Sequence, residues 1–380
     1  MVLRKQRYLF IDLLRFCAVL FMIQGHVFDA VLSPQIKSLR YYYLHDFFHG
    51  FVAPAFLFSS GVAFGISTIK RWDAYAVWGP ETYRRFGRFL ALLAIGYALH
   101  LPYFSLRKTL STATGAELQA LSQVDALQCI AITLLSLQIG VVALKNVRIF
   151  IRAVGVAAII LVCGAPIVWS AHIGSHVPLW FASYLNAQYG SFFPIFPWAA
   201  YLLCGVIFGY RFVRSTESGN PAVMIRWNIV IHAGIVVLAI LITQLPIDIY
   251  PAHDFWKTNP AMFAIRWSAV SIVASVLFLI ESWIRIPLQV PLILGRESLF
   301  IYILHLMIVY GSVLNRGLSE RIGPRLTVFQ SLETVFLVLA VIAGVSVLWY
   351  EFKTRRRTAA AWVSAACAAA FLIEFLRRPW

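Results

Sequence analysis

Apolar stretches about as long as a bilayer is thick recur along almost the whole chain, and no other feature limits its fold so severely. Roughly 20 apolar residues cross the hydrocarbon core. Inside that core each backbone N–H and C=O must be satisfied by the segment itself, which favours a helix. Eleven such segments can be read, at residues 8–30, 50–69, 86–104, 124–144, 149–170, 194–212, 227–245, 263–283, 296–314, 332–352 and 359–376. The expected fold class is all-α, a polytopic integral membrane protein of about 11 transmembrane helices. Composition agrees, with 61% hydrophobic and only 13% charged residues, against about a quarter charged in a soluble domain. There is no internal repeat, no low-complexity tract and no long inter-span segment, so residues 1–380 read as a single transmembrane domain.

The net charge of +16 does not point to nucleic acid. The basic residues come as short clusters between apolar spans, the distribution that the positive-inside rule produces. With the N-terminus cytoplasmic, the inner side receives Arg4, Lys5 and Arg7, then Lys70, Arg71, Arg84, Arg85 and Arg88, then Lys145, Arg148 and Arg152, then Arg211, Arg214 and Arg226, then Arg285 and Arg296, and last Lys353, Arg355, Arg356 and Arg357. The segment 315–331 is expected outside although it carries Arg316, Arg321 and Arg325. Cys17, Cys129, Cys163, Cys204 and Cys367 all fall in apolar spans and lack metal-ligand spacing, so neither disulfides nor a metal is expected. The first apolar run is too long for a cleaved signal peptide and is expected to remain as an anchor.

That first run, YLFIDLLRFCAVLFMIQGHVFDA, carries Asp12, Arg15 and His26. Arg15 and His26 are eleven positions apart, three helical turns, and Asp12 falls within about 60° of both, so one stripe holds all three. An ionisable group at bilayer depth costs at least about 2.5 kcal/mol and normally faces a bundle interior or a wet cavity. Asp12 and Arg15 alone would be an ordinary ion pair three residues apart. A histidine on the same stripe, about 16 Å further along the axis, points instead to a polar path.

The assumed orientation places His26, His45, His49, His100, His172, His176 and His253 at or beyond the outer ends of spans, with His232 and His305 inside spans. Scattered interfacial histidines would account for most of these. His45 and His49 stand apart because YYYLHDFFHGFVAP sets them four apart, around Asp46, in the outer loop that returns to the second span. Histidine is the usual general base at neutral pH. Elsewhere Gly61 with Gly65, and Gly205 with Gly209, are spaced for close helix contact, while Pro194 and Pro197 predict an irregular start to the sixth span. The aromatic and amide-rich segment AHIGSHVPLWFASYLNAQYG suits either a neutral sugar or an interfacial aromatic belt. Asp125 with Gln128, and Ser298 with His305, share helix faces and are further candidates for a polar cleft.

RYLFIDLLRFCAVLFMIQGH resembles the opening helix of membrane acyltransferases of the heparan-α-glucosaminide N-acetyltransferase-like group, and its Arg-to-His spacing resembles that of the acyltransferase-three family. VAPAFLFSSGVAFGIS, VDALQCIAI, FPIFPWAAYLLCGVIFGY and LGRESLFIYILH extend the likeness in order along most of the chain. The sequence departs in having Phe16 where a glycine commonly follows the arginine, and His26 where the human-type enzyme has asparagine. The resemblance implies transfer of an acyl group, acetyl by preference, from cytoplasmic acyl-CoA to an amine or hydroxyl of an extracytoplasmic sugar or glycan. His26, His45 and His49 then become the catalytic candidates, and Arg15, held by Asp12, the residue that meets the CoA. The alternative is a transporter or flippase without covalent chemistry, which would not consume acetyl-CoA. The expected setting is an integral membrane protein of a bacterial inner membrane, in contact with lipid and a glycan acceptor.

Overall fold

A computed structural model describes residues 8–171, 176–245, 249–281, 289–312 and 314–378. Arg4, Lys5, Arg7, His172 and Arg285 lie outside the described residues. The chain is almost wholly helical. Its longer helices are α1 (Leu9–Val31), α2 (Arg40–His49), α3 (Val52–Ile69), α4 (Pro80–Ala98), α5 (Ala126–Leu144), α6 (Val147–Ser170) and α7 (Ile195–Glu217). They continue with α8 (Pro221–Thr243), α9 (Pro260–Ile280), α10 (Gln289–Arg296), α11 (Ser298–Val309), α12 (Val328–Arg355) and α13 (Arg357–Arg377). The only strands among the described residues are β1 (Gly311–Ser312) and β2 (Asn315–Arg316), which pair antiparallel.

Among the described residues nine helices are long and apolar enough to cross a membrane, and a tenth span arises if α10 and α11, bent by 80° at Glu297, count as one. The chain is therefore an all-α polytopic membrane protein. The expected span 86–104 falls on α4, whose first turns carry Glu81, Arg84, Arg85 and Arg88, leaving a short apolar remainder. The segment read as an outer loop before the second span is instead the helix α2.

Two compact units are distinguishable, Met1–Val52 with Leu101–Thr114 and Ile284–Trp380, and Ala53–His100 with Gly115–Trp283. In the first, α1 runs unbroken against α10, α11 and α12. Gly295 of α10 lies so close to α1 that a Cβ there would strike the carbonyl of Asp12. At the other end of α1, the backbone N–H groups of Arg325 and Leu326 donate to the Val31 carbonyl at 2.9 and 2.8 Å, which satisfies part of a buried helix end. Thr327 and Gln330 close a capping box on α12 immediately afterwards.

In the second unit the glycine pairs act as their spacing suggested. A Cβ on Gly61 would collide with the Leu202 carbonyl, one on Gly205 with the Phe58 carbonyl, and Gly65 and Gly209 face Val206 and Val62 in the same way. Helices α3 and α7 are thus in backbone contact. Gly61→Ala is expected to cost at least about 1–3 kcal/mol through overpacking, read as a lower thermal midpoint of the solubilised protein; Gly79→Ala, where a Cβ meets nothing within 4 Å, is the control. Phe196 has non-helical backbone angles inside α7, beside Pro197. The carbonyl this frees accepts a hydrogen bond from Trp169 Nε1 at 2.7 Å, so the irregular start is satisfied by protein.

Candidate active site

Within the first unit, α1, α2 and α11 bring four histidines together. Helix α2 carries His45 and His49 one turn apart on one face, and their rings stack with centroids 6.0 Å apart and planes 6° from parallel. Both nitrogens of His45 are engaged. Nδ1 is 3.2 Å from Asp46 Oδ1 and Nε2 is 2.9 Å from the Gln24 amide nitrogen. An ionised carboxylate only accepts, so the His45 proton belongs on Nδ1, and Nε2 takes a hydrogen from Gln24. Phe28 and Tyr42 hold the same ring at 5.4 and 4.8 Å.

His49 is held differently. Its ring occupies the space that a side chain at residue 25 would need, since a Cβ on Gly25 would overlap His49 Cε1 and Nδ1. Gly25 therefore allows His49 to lie against the backbone of α1, directly beside His26. The two rings are edge to face at 6.0 Å. His49 Nδ1 is buried and has no hydrogen-bond partner among the described residues.

His26 Nδ1 is 2.8 Å from His305 Nε2, and the rings stack at 5.0 Å. His305 is fully buried, with Nδ1 3.0 Å from the Ile301 carbonyl one turn back along α11. A carbonyl cannot donate, which puts the His305 proton on Nδ1. In the neutral ring Nε2 then carries a lone pair, His26 must donate from Nδ1, and His26 Nε2 becomes the basic nitrogen. Tyr310 stands edge-on to His26 at 5.6 Å and donates its hydroxyl to Asp29 Oδ2 at 3.0 Å.

The other end of the α1 stripe is built from charges. Asp12 is 3% exposed, and Arg296 Nε at the end of α10 donates to its Oδ2 at 3.1 Å. Arg296 Nη1 also donates to the Tyr350 hydroxyl at 3.1 Å, and the neighbouring Glu297 pairs with Lys353. Arg15, one turn along α1, is partly buried. The bent pair α10 and α11 therefore supplies a partner to each end of the stripe, Arg296 to Asp12 and His305 to His26.

All five sequence-selected residues lie in this unit, with His26, His45 and His49 in one cluster and Asp12 and Arg15 some turns away along α1. His305 was legible as a residue inside a span, aligned with Ser298 and a further candidate for the polar cleft, next in line after the three histidines. Gly25, Gln24, Asp29 and Tyr310 were not singled out, because a glycine or a tyrosine at a span end is commonplace until its neighbours are known. Among the described residues no group of three or more His, Cys, Asp or Glu side chains is arranged to hold a metal ion. In the second unit, the amide-rich segment considered for sugar binding uses two of its polar groups internally. Asn186 Nδ2 donates to the carbonyls of Val168 and Ala171 at 3.2 and 3.3 Å, and the Tyr184 and Tyr97 hydroxyls are 2.9 Å apart.

All-helical and membrane-spanning, with His26 of its first span hydrogen-bonded to His305, the chain falls in the class of polytopic membrane proteins that hold ionisable side chains among their helices. Residues 7–255 match the catalytic domain of heparan-alpha-glucosaminide N-acetyltransferase. The chain belongs to that family of membrane acetyltransferases. No curated protein and no solved structure matches it. His305 lies beyond the matched stretch, as do Arg296 and Tyr310.

Proposed function

We propose that the protein transfers an acetyl or related acyl group from cytoplasmic acyl-CoA to an amine or hydroxyl of an extracytoplasmic sugar or glycan. The observation that supports this reading best is the ordered chain from the Ile301 carbonyl through His305 to His26. It orients one imidazole with its basic nitrogen turned away from the chain, as acyl transfer from a thioester requires of a general base. His26 Nε2 takes the acceptor's proton as the acceptor attacks the thioester carbonyl carbon. The new C–O or C–N bond forms, the C–S bond breaks, and the CoA thiolate leaves with the proton that His26 has held. His305 stabilises the transient imidazolium by accepting from Nδ1–H, and acts as a positioning residue.

His45 and His49 divide their work. His45, with both nitrogens engaged, fixes the stack, while His49, whose Nδ1 has no hydrogen-bond partner among the described residues and whose ring is edge to face with His26, is the side chain on which an acyl group would rest if transfer has two steps. Gly25→Ala would displace the His49 ring, and a displacement near 1 Å can cost about 10²-fold. Turnover of a folded Gly25→Ala protein is expected to fall on that scale, and wild-type turnover would remove His49 from the mechanism.

At the donor end we assign Arg15 to the CoA or its pantetheine arm, with Asp12 as part of its charged surroundings. Arg15→Lys keeps the charge but loses the planar array of donors. Its affinity for acyl-CoA, measured by equilibrium dialysis, is expected to drop, and unchanged affinity in folded protein would exclude the role. Function as a whole is tested by mass spectrometry of cell-envelope glycans with and without the gene. A missing acyl group identifies the acyl group and its acceptor together, and an unchanged glycan profile with no acetyl-CoA consumption by purified protein counts against transfer.

A further inference from the structure

One side of α4 is a cationic stripe. At about 100° per residue, Glu81, Arg84, Arg85 and Arg88 fall within an arc of about 100°, whereas Tyr83 and Phe86 face the other way, stacked with Trp78 at 5.9 and 5.4 Å. On the cationic side, Arg71, Tyr75, Glu81, Arg84 and Arg88 line a cleft of about 420 Å³. That volume is within the usual range for small-molecule sites, about 300–1,000 Å³. Topology alone asks only that arginines lie on one side of the membrane, not that they converge on a cavity.

Arg85 lies behind the cleft and is 4% exposed. Its guanidinium is sandwiched between the rings of Tyr75 and Phe64 at 4.2 and 4.3 Å, and Nη2 donates to Ser67 Oγ at 2.9 Å and Thr68 Oγ1 at 2.8 Å. Nη1 is buried with no hydrogen-bond partner among the described residues. Tyr75 is shared, stacking on Arg85 and lining the cleft. The one carboxylate in the lining, Glu81, pairs with Arg71 through Oε1, and its Oε2 is buried with no hydrogen-bond partner among the described residues. Arg71, Arg84, Arg85 and Arg88 thus outnumber Glu81, leaving an excess of positive charge around an open cleft.

We propose that this cleft binds a phosphate-bearing group, which the forked donors of several arginines recognise better than a carboxylate or a neutral sugar. Two sources share that chemistry, the phosphates of the acyl-CoA nucleotide and the headgroup of an anionic lipid. The first rests on the acyltransferase reading and the second does not.

The test uses full-length protein in phosphatidylcholine nanodiscs, with and without phosphatidylglycerol, and the paired variant Arg84→Gln with Arg88→Gln. CoA and dephospho-CoA binding are measured by calorimetry, and retained phosphatidylglycerol by native mass spectrometry. Arg214→Gln, which alters an exposed arginine paired with Glu217, is the control and leaves both bindings unchanged. A tenfold or greater loss of CoA affinity in the paired variant, smaller for dephospho-CoA and steepened at low salt, supports the nucleotide source. Loss of retained phosphatidylglycerol with CoA binding intact supports the lipid source. If the folded variant binds CoA and retains phosphatidylglycerol like the wild type, the proposal is overturned, whatever the acyl-transfer assay shows. Equally, a protein that binds either phosphate group here but transfers no acyl group refutes the acyltransferase reading alone.

Discussion

Replacing His26 with alanine is expected to lower acyl transfer at least about a hundredfold, because a positioned general base typically contributes about 10²- to 10⁴-fold. Acyl-CoA binding and membrane insertion persist, since His26 is at the opposite end of α1 from Asp12 and Arg15. The pH profile separates this from a structural role. A histidine base must be neutral to act, so the wild-type rate falls as pH drops through the histidine range, and the His26→Ala variant loses that acid limb. His305→Gln retains a polar side chain but not the imidazole acceptor at 2.8 Å, and should shift the limb and reduce kcat more than it changes KM. Transfer within a few-fold of wild type by His26→Ala would transfer the role to His49 or end the histidine mechanism.

The second large effect is on stability. Asp12→Ala leaves the Arg296 guanidinium, whose side chain is only 20% exposed, without the carboxylate at 3.1 Å. Removing one partner of a buried ion pair typically costs about 3–5 kcal/mol. The expected readout is a markedly lower thermal midpoint and poor recovery after solubilisation. Replacing both partners with apolar residues of similar size, Asp12→Leu with Arg296→Met, should recover much of the loss. If the double replacement is as damaging as the sum of the single ones, the pair contributes no coupling and Asp12 has another structural role.

Glu297 shows why α10 and α11 are harder to read than α1. From the apolar run alone, 296–314 looks like one span, yet its helix Ser298–Val309 has only 12 residues and is joined to α10 by an 80° bend at its start, where Glu297 is buried and paired with Lys353. The bend places Arg296 and His305 against two separate points of α1. A hydropathy pattern reports how long an apolar run is, and carries no information about a turn stabilised by a lysine 56 positions away. The same limit applied to α2, where a run broken by His45, Asp46 and His49 resembles a loop until the stacked aromatic and imidazole rings are seen to hold it as a helix.

The features that the sequence determined by itself are those governed by local geometry. Twenty-residue apolar runs must become helices in lipid, the 3.6-residue period places Asp12, Arg15 and His26 on one stripe, and glycines four apart make a surface that backbones can approach. What only the tertiary structure decided is which groups those surfaces meet. Arg296 reaches Asp12 from 284 residues away, His305 reaches His26 from 279, and Gly25 matters because the ring of His49 fills the space its side chain would have taken. Each depends on helix packing, where contact is set by shape and by the need to pair buried polar groups, and neither is written in the period of any one segment.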